Sequence, residues 1–129
     1  STENDVLKAN LKGTDPAWRA NANRYISLHT GDPGEAGDQT TSEATFTGYA
    51  RVAVPVADWT DGGSTVSNTN AITFPQCTGG SNTITYVAIG TVSSGAGQIL
   101  YSGALSASLS VSNLITAIFA ALALTVTED

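Results

Sequence analysis

Residues 62–127, 66 in all, contain no Asp, Glu, Lys or Arg. An average soluble domain is about a quarter charged, so a run of this length would carry roughly 16 charges. Ser, Thr, Asn and Gly punctuate the run throughout, which sets it apart from a membrane segment. Its most apolar part, residues 114–126, is shorter than the about 20 residues a spanning helix needs. The run reads as β-strands whose outer face is hydroxylated and amidated rather than ionised. Such a surface suits work inside an assembly. A buried ion is costly unless paired, whereas Ser, Thr and Asn hydrogen-bond across an interface at lower desolvation cost.

The totals bound the rest. A chain of 129 residues suits one domain with one sizeable core and a folded surface of about 6,400 Å². Eleven acids against five bases give a net charge of −6. That argues against phosphate-backbone binding, which needs clustered Lys and Arg; ordinary solubility accounts for the acidity. Cys77 is the single cysteine, so an intramolecular disulfide and a multi-cysteine zinc site are excluded. A reducing cytoplasm fits this usage. The opening STENDVLKAN is polar and acidic, and no signal peptide is expected there.

Along the chain, Val6, Leu7 and Leu11 fall at helical spacing. Thr2 is a plausible N-cap and Gly13 a stop, so residues 2–12 read as a short helix or as an arm that orders on a partner. Alternation predicts a half-buried strand at 25–30 and another at 49–56. Short strands are expected at 65–67 and 71–74, and the strongest at 83–92. A hairpin loop at 93–97 leads to a return strand at 99–105, and a separate short run follows at 109–111. Residues 114–122 permit a helix by their Ala and Leu content, but their position between strands favours extended structure. Leu124 and Val126 alternate with Thr125 and Thr127 as a last strand. Seven to nine short strands at intervals of about ten residues indicate an all-β fold: a β-sandwich, jelly-roll-like, with a short N-terminal arm or helix. Residues 1–23 are the arm and 24–129 the sandwich body, in one domain overall.

Several stretches, in order, carry a family resemblance: YISLHTGDPGEAG at 25–37, TSEATFTGYARVAV at 41–54, AITFP at 71–75, GQILYSGAL at 97–105 and ALTVTED at 123–129. They resemble a family of small structural proteins of tailed bacteriophages, whose members often carry a tail-fibre label. The resemblance implies a virion component. Size and all-β character are similar to those of capsid cement or decoration proteins, which bridge neighbouring capsomers. Residues 114–122 are more continuously apolar than the family pattern.

No constellation points to catalysis. His29 lies near Asp32, Glu35 and Asp38, but this spacing lacks the ligand density of a calcium loop. A Ser-His-Asp triad lacks the nucleophile elbow, and a lone Cys is more often a small core or loop residue. No GxGxxG or phosphate loop is present. The expectation is a non-enzymatic virion protein with no catalytic residue, cofactor or metal. Its leading role is a capsid cement protein bridging shell subunits; a tail or tail-fibre protein is the alternative, and a host-glycan-binding sandwich a third. Partners would be the major capsid protein and further copies of the chain in a homo-oligomer, with no nucleic acid and no membrane. The site would be the capsid surface of the virion, assembled in the host cytoplasm. Candidate interface residues are Val6, Leu7, Leu11, Trp18, Arg19 and Trp59. Aromatics in turn-rich segments are favoured because turns rarely bury such area internally.

Overall fold

The computed structural model describes residues 2–34, 37–63 and 65–127. Helix α1 spans Thr2–Lys12, as the apolar spacing predicts. Gly13 ends it at φ +68°, a left-handed conformation that glycine adopts without a Cβ penalty. Thr2 lies inside the helix, and the capping position falls on residue 1, outside the described residues. Pro16 leads into a 3-10 turn at Ala17–Ala20.

The nine strands of the described residues form antiparallel sheets, the all-β sandwich the periodicity predicts. β1 (Asn23–His29) and β2 (Val52–Pro55) pair with each other. β3 (Trp59–Asp61) and β4 (Thr65–Asn68) follow, then β5 (Ile72–Thr73), β6 (Ser81–Gly90) and β7 (Ile99–Ser112). β8 (Ile118–Phe119) and β9 (Thr125–Thr127) complete the set. The sheet orders are β2-β1-β6-β7, β3-β4-β9 and β5-β8. A jelly roll carries eight strands in two sheets; the sheets here have four, three and two strands.

Three local expectations are corrected. β1 is not half-buried: Ile26 and Leu28 face the core, and Ser27 and His29 are equally inaccessible. The second face is closed by the following loop, which pairs Glu43 with His29 and ties Ala44 N to Leu28 O. β2 is shorter than 49–56 because Tyr49 and Arg51 leave the ladder to bind Glu43. Residues 99–105 and 109–111 are one strand: Ile84 faces Leu109 while Tyr86 faces Ala104, so residues 105–108 swell out opposite Thr85. Residues 114–122 hold no helix, in keeping with the extended structure that their position between strands favours. They run along 68–77, with Leu114 N on Cys77 O, Phe74 N on Ala117 O and Leu122 N on Asn68 O.

Ile26, Leu28, Ile84 and Val111 of the large sheet meet Phe46, Ile72, Phe74 and Cys77 in one core. Phe46 is thus a core residue. It packs edge-on against Tyr49, which stacks on Phe74, which meets Phe119 edge-on.

Candidate functional site

The titratable side chains are largely occupied in holding loops. Glu43 Oε2 accepts from Tyr49 OH and Arg51 Nε, both at 2.7 Å, and its Oε1 accepts from Arg51 Nη2 at 2.9 Å. Arg51 also donates to the carbonyls of Val92 and Gly95, tying this cluster to the β6–β7 hairpin. Burial, then the hydrogen bond to Glu43, pushes the Tyr49 phenol above its ordinary range, so it stays a donor.

His29 Nδ1 faces Thr41 O at 2.8 Å and its Nε2 faces Ser27 Oγ at 2.7 Å. A carbonyl only accepts, so Nδ1 carries the proton and Nε2 accepts from the serine hydroxyl. A Ser–His pair at this distance has the outline of a nucleophile and its base. Both side chains are fully buried, however, and neither lines the cavities described below. The acids placed near His29 in the sequence turn elsewhere. Asp32 Oδ1 accepts from Gly34 N, and Asp38 Oδ1 accepts from Thr40 N and Oγ1. Glu35 lies outside the described residues.

The expected interface residues are spread over the arm and one mouth of the sandwich. Val6 and Leu7 have their backbone in α1, while their side chains lie outside the described part. Leu11 is 79% exposed. Trp18 Nε1 donates to Asp5 Oδ2 at 3.0 Å, and Gln98 Nε2 donates to the same oxygen. These two donors hold the Asp5 carboxyl below its ordinary range. The Trp18 ring carries the Arg24 guanidinium 5.3 Å from its centroid, a cation–π contact. Arg19 forms an exposed ion pair with Asp15. Trp59 is not in a loop: it begins β3 and packs against the core, with its indole N–H buried and unpaired. The structure brings Trp18 and Trp59 near a common residue, since Arg24 also lines a cavity of about 270 Å³ beside Trp59.

That cavity opens into a larger one of about 610 Å³, the two sharing Ile89, Tyr101 and Val126. Together they form a cleft between the two larger sheets, walled by β7 on one side and by β9 with its lead-in on the other. Beyond it, Leu114 (68% exposed), Ile115, Ile118 (58%) and Leu122 leave apolar side chains in solvent. The sequence reading missed these residues and Tyr101. The run 114–122 has no steady period of 2 or 3.6, so no face could be assigned to its apolar positions.

Among the described residues no helix is long and apolar enough to cross a membrane. Comparison with curated proteins finds no match. A family model described as podophage GP4 fiber I protein gp80 matches residues 1–127, nearly the whole chain. This match agrees with the phage structural family to which the ordered motifs pointed. The chain therefore belongs to the family of the podophage GP4 fiber I protein gp80.

Proposed function

We propose that the chain is a multi-copy structural subunit of a phage fibre, joined to its neighbours through its uncharged β body. Membership in a phage fibre family makes the chain a virion structural protein; placement in a fibre, rather than elsewhere on the particle, takes its support from the family's description. The multi-copy role is supported by the charge-free run at 62–127, which forms six of the nine strands among the described residues. Neutral strands meet neighbours without dehydrating ions. On this reading the protein is non-enzymatic. Among the described residues its buried polar clusters tie loops to strands.

A second reading places the same subunit on the capsid as a cement protein that bridges major capsid subunits. Its support is α1, a helix extending from the sandwich with Leu11 almost fully exposed, which suits an arm reaching onto a shell. Immunogold labelling of intact particles separates the two. Label on the fibres is the expected result, and label confined to the shell would favour the cement reading and overturn the first.

A further inference from the structure

The sandwich is open on one side. β7 is the last strand of the four-stranded sheet and β9 the last of the three-stranded sheet. Both line the same cleft, floored by Val87 and Ile89 and flanked by Leu105, Leu109 and Val126. Protein interiors pack close to the density of organic crystals. The open groove of about 610 Å³ between the two sheets instead leaves Leu105, Leu109 and Val126 only half-buried.

The edge beside it is poorly defended. Exposed sheet edges are usually blunted by Lys, Pro or inward charges, by bulges or by a covering element. β7 is 14 residues long and carries no charge and no proline. Its one protective device is the bulge at 105–108. Nearly all its residues from Tyr101 to Ser110 are exposed, with Leu105 and Leu109 half-buried.

We propose that a second copy of this chain docks on the open side between β7 and β9, presenting its own uncharged open side in return. The inference rests on the multi-copy reading above and adds where the copies meet. The occupant follows from charge. Within the two cavities Arg24 is the only ionisable cation and there is no acid, and Arg24 already lies over Trp18 and donates to the Asn21 and Asn23 carbonyls. A charged partner would strand its ions there. The chain itself supplies a matching face, because β4 to β9 contain no charged residue.

The test is the association state of the full chain by analytical ultracentrifugation. The wild-type protein should form oligomers in the micromolar range. Gly103→Lys is the sharpest variant, since a Cβ on Gly103 meets no atom within 4 Å and the fold has room for it. It should weaken association at least about tenfold, because like charges brought face to face cost several kcal/mol, with an unchanged circular dichroism spectrum. Ser106→Lys, on the exposed bulge, gives the same reading if Gly103→Lys misfolds. Val56→Lys replaces an exposed apolar residue away from the cleft and should leave association intact. A wild-type monomer at about 100 μM, well above the micromolar affinities of specific complexes, overturns the proposal. So does an oligomer that tolerates both lysines, or one lost only when residues 1–13 are removed, which would assign the contact to α1. A monomer that nevertheless labels the fibre overturns this inference alone; a lysine-sensitive oligomer absent from the virion overturns the fibre reading alone.

Discussion

Gln39 lies across Gly90, so that a Cβ on Gly90 would stand 2.0 Å from the Gln39 amide carbon. The Gln39 carbonyl oxygen accepts from the backbone N–H groups of Thr91 and Val92, each at 3.1 Å. A buried side chain of the charged half thus pins the hairpin of the uncharged half. Gly90→Ala should destabilise the fold by about 2–4 kcal/mol through overpacking and loss of these bonds. Gln39→Ala should cost a similar amount, by leaving two donors unpaired. Urea unfolding measures both. A cost below about 0.5 kcal/mol, the range of a neutral surface change, would show that the amide is not needed there.

Asn68 plays the corresponding part at the cleft. It is fully buried, donates to the carbonyls of Asn70 and Ala120, and accepts from Leu124 N at 2.9 Å. These bonds hold the segment that forms one wall of the cleft. Asn68→Ala should cost about 2–4 kcal/mol and raise amide hydrogen exchange at Leu122 and Leu124 above that of β1. Uniform exchange across both regions would mean that the wall is held by packing instead.

The charge-free body was legible because composition and period-2 alternation both survive in single sequences; the strands at 65–68 and 81–90 follow from them, and α1 from its helical spacing. The faces were less legible. Ser27 and His29 look like a solvent face by polarity, yet the loop that follows β1 folds back over them. Asn68 looks like part of a neutral outer surface, yet spends its amide inside. The strand expected at 99–105 and the run at 109–111 join in one strand, because the bulge at 105–108 shifts the pairing with β6. Such shifts depend on pairing between segments, and a pattern within one segment does not carry them. For the candidate interface, the neutrality of the body was readable, but the open cleft is a gap between sheets and has no sequence signature.

The ion pair of Glu43 and Arg51 is mostly removed from water, the Arg51 side chain being 3% exposed. Removing one partner of a buried pair leaves the other charge uncompensated. Arg51→Met should therefore destabilise by about 3–5 kcal/mol and loosen the hairpin whose carbonyls Arg51 binds. The paired change Glu43→Gln with Arg51→Met should recover part of that loss, as measured by a double-mutant cycle. Strict additivity would remove the coupling.

His29 makes stability depend on pH. Burial, the largest influence, pulls its imidazole below the ordinary value of 6.5, against the Thr41 carbonyl and the Glu43 carboxylate, which favour the proton. The folded value is the lower one, so below pH 6.5 the unfolded chain takes up a proton that the folded chain refuses. The stabilising contribution is complete above pH 6.5 and declines as pH falls through that value toward the folded one. The slope is at most about 1.4 kcal/mol per pH unit. Urea midpoints between pH 7.5 and 5.5 should fall with acidification, and His29→Asn should flatten that arm. A flat wild-type profile across this window would contradict the assignment.

The arm offers the last test, because few of its described residues tie it to the body. Asp5 joins α1 to Trp18 and Gln98 through exposed or half-buried groups, and an isolated helix of this length is marginal in water. Deleting residues 1–13 should leave the melting temperature of the body within a few degrees, because the core residues all lie beyond it. If α1 reaches onto a neighbour in the particle, the truncated chain should be under-represented in purified virions by several-fold. Mass spectrometry against the major capsid protein would measure this ratio. Loss of the chain with an otherwise intact shell ties the arm to attachment, whereas unchanged occupancy leaves α1 without an anchoring role and places attachment on the neutral body.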